Sequence, residues 1–396
     1  MLLAVYAVAA FTTVLNISMM SPLLVPIAEE FNRSEASAGQ LSTITAGFAF
    51  GTALLIAPIL DRYPRRVWLR AQAGLVAVAT VLTAVAGTFG MVMAGRALAG
   101  IGGAIIIAIC YASAAEHFQE PARRHRVVGL IASSATLGSI LGLPVITWMA
   151  DTAGWRWAVL IVIPLPLLVL AGAGELRESP NPAQAKAARN WVLAYRSILA
   201  QRAVTSMLGA MVLILVARFG WFIYLGAYGE KALKASALTL GLVFAAGGVS
   251  HMIGSNLAPL LLARFPARRI AAAAAVVMAL ALATVGLYSD EAWSMFPFVA
   301  LFSVCWAICF VTSSIYLLDL APAARSTVSA LQSAAMELGI ALGAAVGGVL
   351  LSVLADYERM FRSLALVIPV ALALLVAGSM KPLLSTDGPV PAETPA

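Results

Sequence analysis

The sequence predicts an all-α membrane protein of twelve transmembrane helices, built as two halves of one plan, and three observations carry that reading. Of the 396 residues, 62% are hydrophobic and 11% charged, too few hydrophilic side chains to coat a water-soluble fold of this size. The apolar runs are about 20 residues long, which at 1.5 Å per helical residue crosses a hydrocarbon layer of roughly 30 Å. Finally, the basic hinge Leu60-Asp61-Arg62-Tyr63-Pro64-Arg65-Arg66 nearly returns, about two hundred residues later, as Leu262-Ala263-Arg264-Phe265-Pro266-Ala267-Arg268-Arg269. Internal repeats of that size are a common build for transporters.

Taken in order, hydropathy places the first six spans at about 2–27, 37–59, 69–88, 90–113, 127–149 and 156–174. Residues 1 to 20 read as the first span, because they lack the basic start and small-residue cleavage site of a removable signal. The basic hinge separates spans two and three, and Arg123, Arg124 and Arg126 stand before span five. Together, 1–174 form an N-terminal six-helix unit. Residues 175–202 form a polar cytoplasmic linker, in which Pro180 and Pro182 break the chain before a surface helix from Ala183 to Ala200. The second six spans fall at about 203–228, 237–261, 269–288, 293–317, 327–354 and 362–380, within a C-terminal unit of 203–381. Residues 382–396, rich in Pro and Thr, form a disordered tail.

The charges give the topology. Connectors after odd-numbered spans hold six of the twenty-five Lys and Arg residues, and those after even-numbered spans, with the tail, hold seventeen. Short cytoplasmic loops collect Lys and Arg, so both termini are expected in the cytoplasm. The net charge of +7 is a topology signal on this reading. Its residues form no continuous face or basic tail, which argues against nucleic acid as a partner. The remaining cations, Arg96 and Arg218, lie inside spans, and of eighteen acids only Glu337 falls well within one. An ionisable group at membrane depth costs several kcal/mol unless it is paired or faces a watery cavity. These three should line the interior.

Several constellations are absent. There is no P-loop, H-E-x-x-H or G-x-S-x-G motif, so no enzyme activity or ATP hydrolysis is expected on this chain. Cys110, Cys305 and Cys309 lie in apolar runs. The one-turn spacing of the last two has no second pair or His to make a metal site, and no cofactor is implied. Asn32-Arg33-Ser34 matches a glycosylation sequon, but the Ala- and Arg-rich composition is bacterial in character.

Four groups of residues carry a resemblance. Asp61, Arg62, Arg65 and Arg66 stand in register with a G-x-x-x-D-R-x-G-R-R signature, with Ala57 in place of the first Gly and Pro64 in place of the second. Arg96 and Gly100 match a motif in which an Arg lies within the membrane. The run from Gly138 through Gly142 to Pro144 is similar to an antiporter glycine and proline motif, its proline one place later. Gly154-Trp155-Arg156 opens span six. Over nearly its whole length the chain thus resembles the major facilitator superfamily, and within it the drug and metabolite:proton antiporters of the arabinose and sugar efflux permease type. The resemblance implies two six-helix bundles around a central cavity that opens alternately to each side of a bacterial inner membrane. It also implies a monomer that moves a small molecule against protons.

Each candidate residue has two readings. Asp61 with Arg62, Arg65 and Arg66 can form a cytoplasmic gate against the other half, or act as a plain positive-inside anchor. Arg96 can bind an anion or assist proton transfer, or bond backbone carbonyls within its bundle. Arg218 shares a helical face with Trp221 and Phe222, which permits a cation-π contact or a cavity wall of one charge and two rings. Glu337, near the midplane of span eleven, can take up and release protons or sit in a static ion pair with Arg218. His251 can titrate near neutrality or pack as a neutral ring. Asn16, Tyr224 and Gln332 are, with Trp221 and Phe222, expected at the cavity wall. Multidrug exporters of this type often carry an acid in span one, where this chain has Asn16.

Four-residue glycine spacing at Gly47 and Gly51, at Gly138 and Gly142, and at Gly339, Gly343 and Gly347 lets helix backbones approach closely in lipid. The expected function is a proton-coupled exporter of drugs, sugars or metabolites, with Glu337 protonated from outside and released or substrate-bound when open inward. Import or facilitated passage of an organic anion or other nutrient is the other reading, favoured by two membrane arginines against one acid. A sensor or scaffold without flux would leave costly buried charges idle.

Overall fold

In the computed structural model, residues 2–56, 63–104, 106–117, 120–175, 191–287, 291–321 and 324–377 are described. Among them the chain is helical and no strand forms. Nine helices are long and apolar enough to cross a membrane, or ten when the pair Leu2–Ser18 and Met20–Glu30, bent by 44°, is one span. Phe89–Gly103 continued by Ile106–His117, and Ala267–Ala283, complete the twelve crossings.

Prolines decide where spans break. A proline ring clashes with the carbonyl four residues earlier and offers no N–H in return. The first helix accordingly stops at Ser18, four before Pro22; in span six Trp155–Leu160 stops four before Pro164; in span twelve Tyr357–Ala365 stops four before Pro369. In span five the wide π turn Gly138–Gly142 precedes Pro144. Spans five and twelve start earlier than hydropathy places them, at Pro121 and Tyr357, because their first turns are polar.

Spans two (Glu35–Ile56), three (Arg65–Ala84), eight (Ala237–Leu262), ten (Met295–Leu320) and eleven (Arg325–Leu354) are continuous. Span seven runs Arg202–Phe222 and continues through a π turn at Tyr228–Ala232. Ser236 caps span eight, accepting from the Thr239 N–H at 3.2 Å, and Asp356 caps span twelve, accepting from the Arg359 N–H at 2.8 Å. Gly154, at φ 91°, makes the tight reversal from span five to span six, a conformation that favours glycine. Of the 175–202 segment, the described part forms a helix at Trp191–Leu199.

Spans one to six pack on one another, as do seven to twelve, and three seams join the sets: span two against eleven, five against eight, and the end of one against the end of seven. On the second seam, a Cβ at Gly241 would stand 3.2 Å from the Pro144 Cα, and one at Gly248 3.1 Å from the Ile140 N. The π turn with its proline is therefore the bearing surface between halves.

Candidate functional site

The molecule is shut at one end and hollow toward the other. At the end where odd-numbered spans turn back, the halves are tied together. Ser21 Oγ donates to the Phe222 carbonyl at 2.7 Å and accepts from the Gly226 N–H at 3.3 Å, while Lys231 pairs with Glu29. Within the first half, Glu30 pairs with Arg156 and accepts from the Trp155 indole N–H at 2.6 Å. Within the second, Arg362 holds Glu358 at 2.8 Å. The odd-loop charges are thus clasps.

Away from that closure lies a cavity of about 590 Å³ between the halves. Span five supplies Gly129, Ser133 and Thr136, and span eight supplies His251, Ser255 and Asn256. These residues lie toward the even-loop ends of their helices, so the space faces that end. Its aromatic walls are Tyr111, Phe219, Phe222, Phe244, Trp306 and Phe310, and among the described residues Arg218 is the only Arg, Lys, Asp or Glu in the lining. The guanidinium sits among rings, its Cζ 4.2 Å from the centroid of Phe222, 4.9 Å from Trp221, 5.5 Å from Phe219 and 5.9 Å from Phe302. Its Nε and Nη1 are buried and have no hydrogen-bond partner. The rings attract the charge through its face, and they offer nothing to in-plane N–H groups.

A second, much smaller cavity of about 30 Å³ lies beside the first. Glu337 from span eleven meets it from one half, and Asn16, Ser42 and Thr45 from the other. Phe219, Phe222 and Ser18 line both cavities and form the partition between them. Glu337 is 6% exposed, and among the described residues no ion pair joins it to Arg218 or to any other cation. Two polar atoms at this cavity, Asn16 Nδ2 and Ser42 Oγ, are buried without a partner. A space of this size is large enough for one water molecule.

Arg96 stands behind that small cavity and does not enter it. It is 1% exposed, donating from Nε to Thr45 Oγ1 at 3.1 Å and from Nη2 to the Asn16 carbonyl at 2.9 Å. It locks span four to spans one and two.

The remaining candidates divide. His251 and Phe222 are at the large cavity and Asn16 at the small one. Trp221, expected at the wall, is fully buried behind it against Phe298 and Phe302, with ring centroids at 5.0 and 4.9 Å. Tyr224 is also fully buried, its hydroxyl donating to the Ala344 carbonyl at 3.0 Å, and Gln332 donates to Ser314 Oγ at 2.5 Å away from both cavities. The ring that joins Phe222 at the partition is Phe219, whose adjacency to Arg218 was its only sequence signal.

The glycines also separate. Gly138 and Gly142 pack on span one, where a Cβ would meet the Phe11 carbonyl at 2.8 Å and Leu15 Cδ1 at 2.7 Å. Gly339, Gly343 and Gly347 pack on span seven, so their stripe seals the second half internally. Gly47 and Gly51, expected in a close helix contact, have nothing within 4 Å of a Cβ and make none. Of the hinge, Asp61 and Arg62 lie outside the described residues, Arg65 is buried at the start of span three, and Arg66 is exposed.

Residues 6–344 and 213–394 match the Major Facilitator Superfamily. The purine ribonucleoside efflux pump NepI of Escherichia coli is 22% identical over 384 residues, which cover 96% of this chain and 94% of the pump. The transcription regulatory protein OpdE of Pseudomonas aeruginosa is 26% identical over 383 residues, 95% of this chain and 93% of OpdE. Among solved structures, a bacterial homolog of the human lysosomal transporter Spinster, in an inward-facing and unoccupied conformation, shares the fold. Its TM-score is 0.74 at 15% identity, over 95% of this chain and 96% of that one.

Proposed function

The chain belongs to the major facilitator superfamily of membrane transporters, and from that premise we propose that it is a proton-coupled exporter of small organic molecules. It works by alternating access in a bacterial inner membrane, as a monomer of two bundles, 1–174 and 203–381, with both termini in the cytoplasm. Export is supported by the efflux-pump relatives. The excess of Lys and Arg in the even-numbered loops supports a cytoplasmic position for that end, which makes the present cavity inward-facing.

The observation that carries proton coupling is the position of Glu337. It is the one acid deep in a span, it has no cationic partner among the described residues, and it shares the small cavity with the unpartnered Asn16 Nδ2 and Ser42 Oγ across the seam between bundles. A carboxyl so placed changes its surroundings whenever the bundles move, so its proton affinity differs between the two states. In the cycle, Glu337 gives up its proton while the large cavity faces the cytoplasm and takes one from outside when the far end opens. The Phe219 and Phe222 partition keeps substrate and proton in separate compartments.

The test is flux in proteoliposomes under an imposed pH gradient, with purine ribonucleosides, sugars and aromatic carboxylates offered in turn. Outward solute movement in exchange for protons supports export by antiport; flux indifferent to the gradient overturns it. Glu337→Gln should abolish the gradient dependence. A folded variant with full proton-driven flux removes Glu337 from the mechanism.

A further inference from the structure

We propose that the large cavity binds an organic oxyanion with a flat apolar body, and that the Arg218 guanidinium in its wall is the anchor. The proposal rests on the transporter reading above and adds the chemistry of the solute.

A guanidinium presents five N–H donors in one plane and a π-like face above and below it. In Arg218 the guanidinium carbon lies 4.2 and 4.9 Å from the ring centroids of Phe222 and Trp221, while Nε and Nη1 are closed off from the cavity and have no acceptor. A buried cation left this way is expensive. Arg96 shows what a self-contained membrane arginine looks like in the same protein: its edge is spent on Thr45 and the Asn16 carbonyl. Among the described residues no Asp or Glu lines the large cavity to neutralise Arg218. The complement is supplied from outside the chain, by a planar oxyanion that pairs with the cavity-lining part of the guanidinium in a charge-assisted contact.

The rest of the wall sets the body of the solute. Phe244, Trp306 and Phe310 face the same space as Phe219 and Phe222, so an apolar ring finds aromatic surface on several sides. Ser303 and Asn256 add neutral hydrogen-bonding groups that tolerate substituents. A cationic solute meets the Arg218 charge with no acid to offset it, and is disfavoured.

The probe is 2-naphthoate, compared with its neutral isostere 2-naphthamide and the cation 2-naphthamidine. Binding to the purified full chain in neutral detergent is read by calorimetry and by thermal stabilisation. We expect 2-naphthoate to bind at least tenfold more tightly than the amide and the amidine to give no binding. Arg218→Gln should erase the preference for the acid, and Arg218→Lys should keep part of it. Equal affinity for acid and amide in the wild-type protein overturns the proposal, and this comparison stands even if Arg218→Gln does not fold. No binding of 2-naphthoate also overturns it. Displacement of the probe by phosphatidylglycerol would assign Arg218 to a lipid headgroup and overturn a soluble solute. All arms are equilibrium measurements without a gradient, so they fail or succeed independently of proton coupling.

Discussion

The two bundles keep their buried charge in opposite ways. In the first, Arg96 is enclosed by its own helices and every contact it makes is internal, to Thr45 and Asn16. In the second, Arg218 and Glu337 both point at the seam, and neither pairs with an opposite charge among the described residues. One bundle is braced and the other is left with unmet demands. Buried charge that is already satisfied serves architecture; buried charge left open at an interface is available to a proton or a solute. The clasps do not follow that division: Glu30 with Arg156 lies within the first bundle and Arg362 with Glu358 within the second, while Lys231 of the second reaches across to Glu29 of the first.

The largest expected effect separates the two arginines. Arg96→Leu leaves the Thr45 hydroxyl and the Asn16 carbonyl without their donor in a buried site, and should cost about 3 kcal/mol of stability. Arg218→Leu keeps most of the volume and removes an uncompensated charge, so its stability should lie within about 1 kcal/mol of the wild type. Reversible unfolding in micelles measures both. Equal losses at the two positions would mean that Arg218 is as structural as Arg96, and the contrast between bundles would disappear.

A smaller effect separates the glycines. At Gly343 a methyl group would stand 2.9 Å from the Val216 carbonyl and 3.0 Å from the Gly220 N, both backbone. Gly343→Ala should therefore cost about 1–3 kcal/mol by forcing spans seven and eleven apart. Gly51 has open space, and Gly51→Ala should be neutral or gain up to about 1 kcal/mol from helix propensity. Thermal melts of the two variants decide it. A destabilising Gly51→Ala would place a close helix partner beside span two in another state of the cycle.

These positions also mark how far the sequence could be read. Fold and span count were legible because a membrane demands about 20 apolar residues per crossing and leaves the charges to the loops. The span breaks were equally legible, since Ser18, Leu160 and Ala365 each stop a helix four residues before a proline, but hydropathy alone overlooks them. Arg96, Arg218 and Glu337 were identifiable as interior residues from their cost in lipid. Which of them was satisfied was not legible, because Thr45 and the Asn16 carbonyl approach Arg96 from two other helices, and a carbonyl leaves no mark in a residue string. Spacing was also misleading for Trp221, Gly47 and Gly51. A helix has several faces with the same period, and only packing decides which one meets a neighbour.

The smallest expected effect lies at the closed end. Among the described residues, Glu29 with Lys231 is the one ion pair that crosses between the bundles. Their side chains are 61% and 35% exposed, so solvent screening limits the pair to at most about 1 kcal/mol. Because the pair exists only while that end is shut, its removal acts on the balance between states: 1 kcal/mol is about a fivefold shift toward the form open at that end. Lys231→Gln should therefore raise the labelling rate of a single cysteine placed at Ser42 by a factor of five or less, with little change in melting temperature. A much larger rise would make this pair the main latch and demote the Ser21 bonds to Phe222 and Gly226. No rise at all would leave closure to those bonds and to the packing of Gly226 on Ser21 and Pro22, with the bracing charges of both bundles playing no part in the switch.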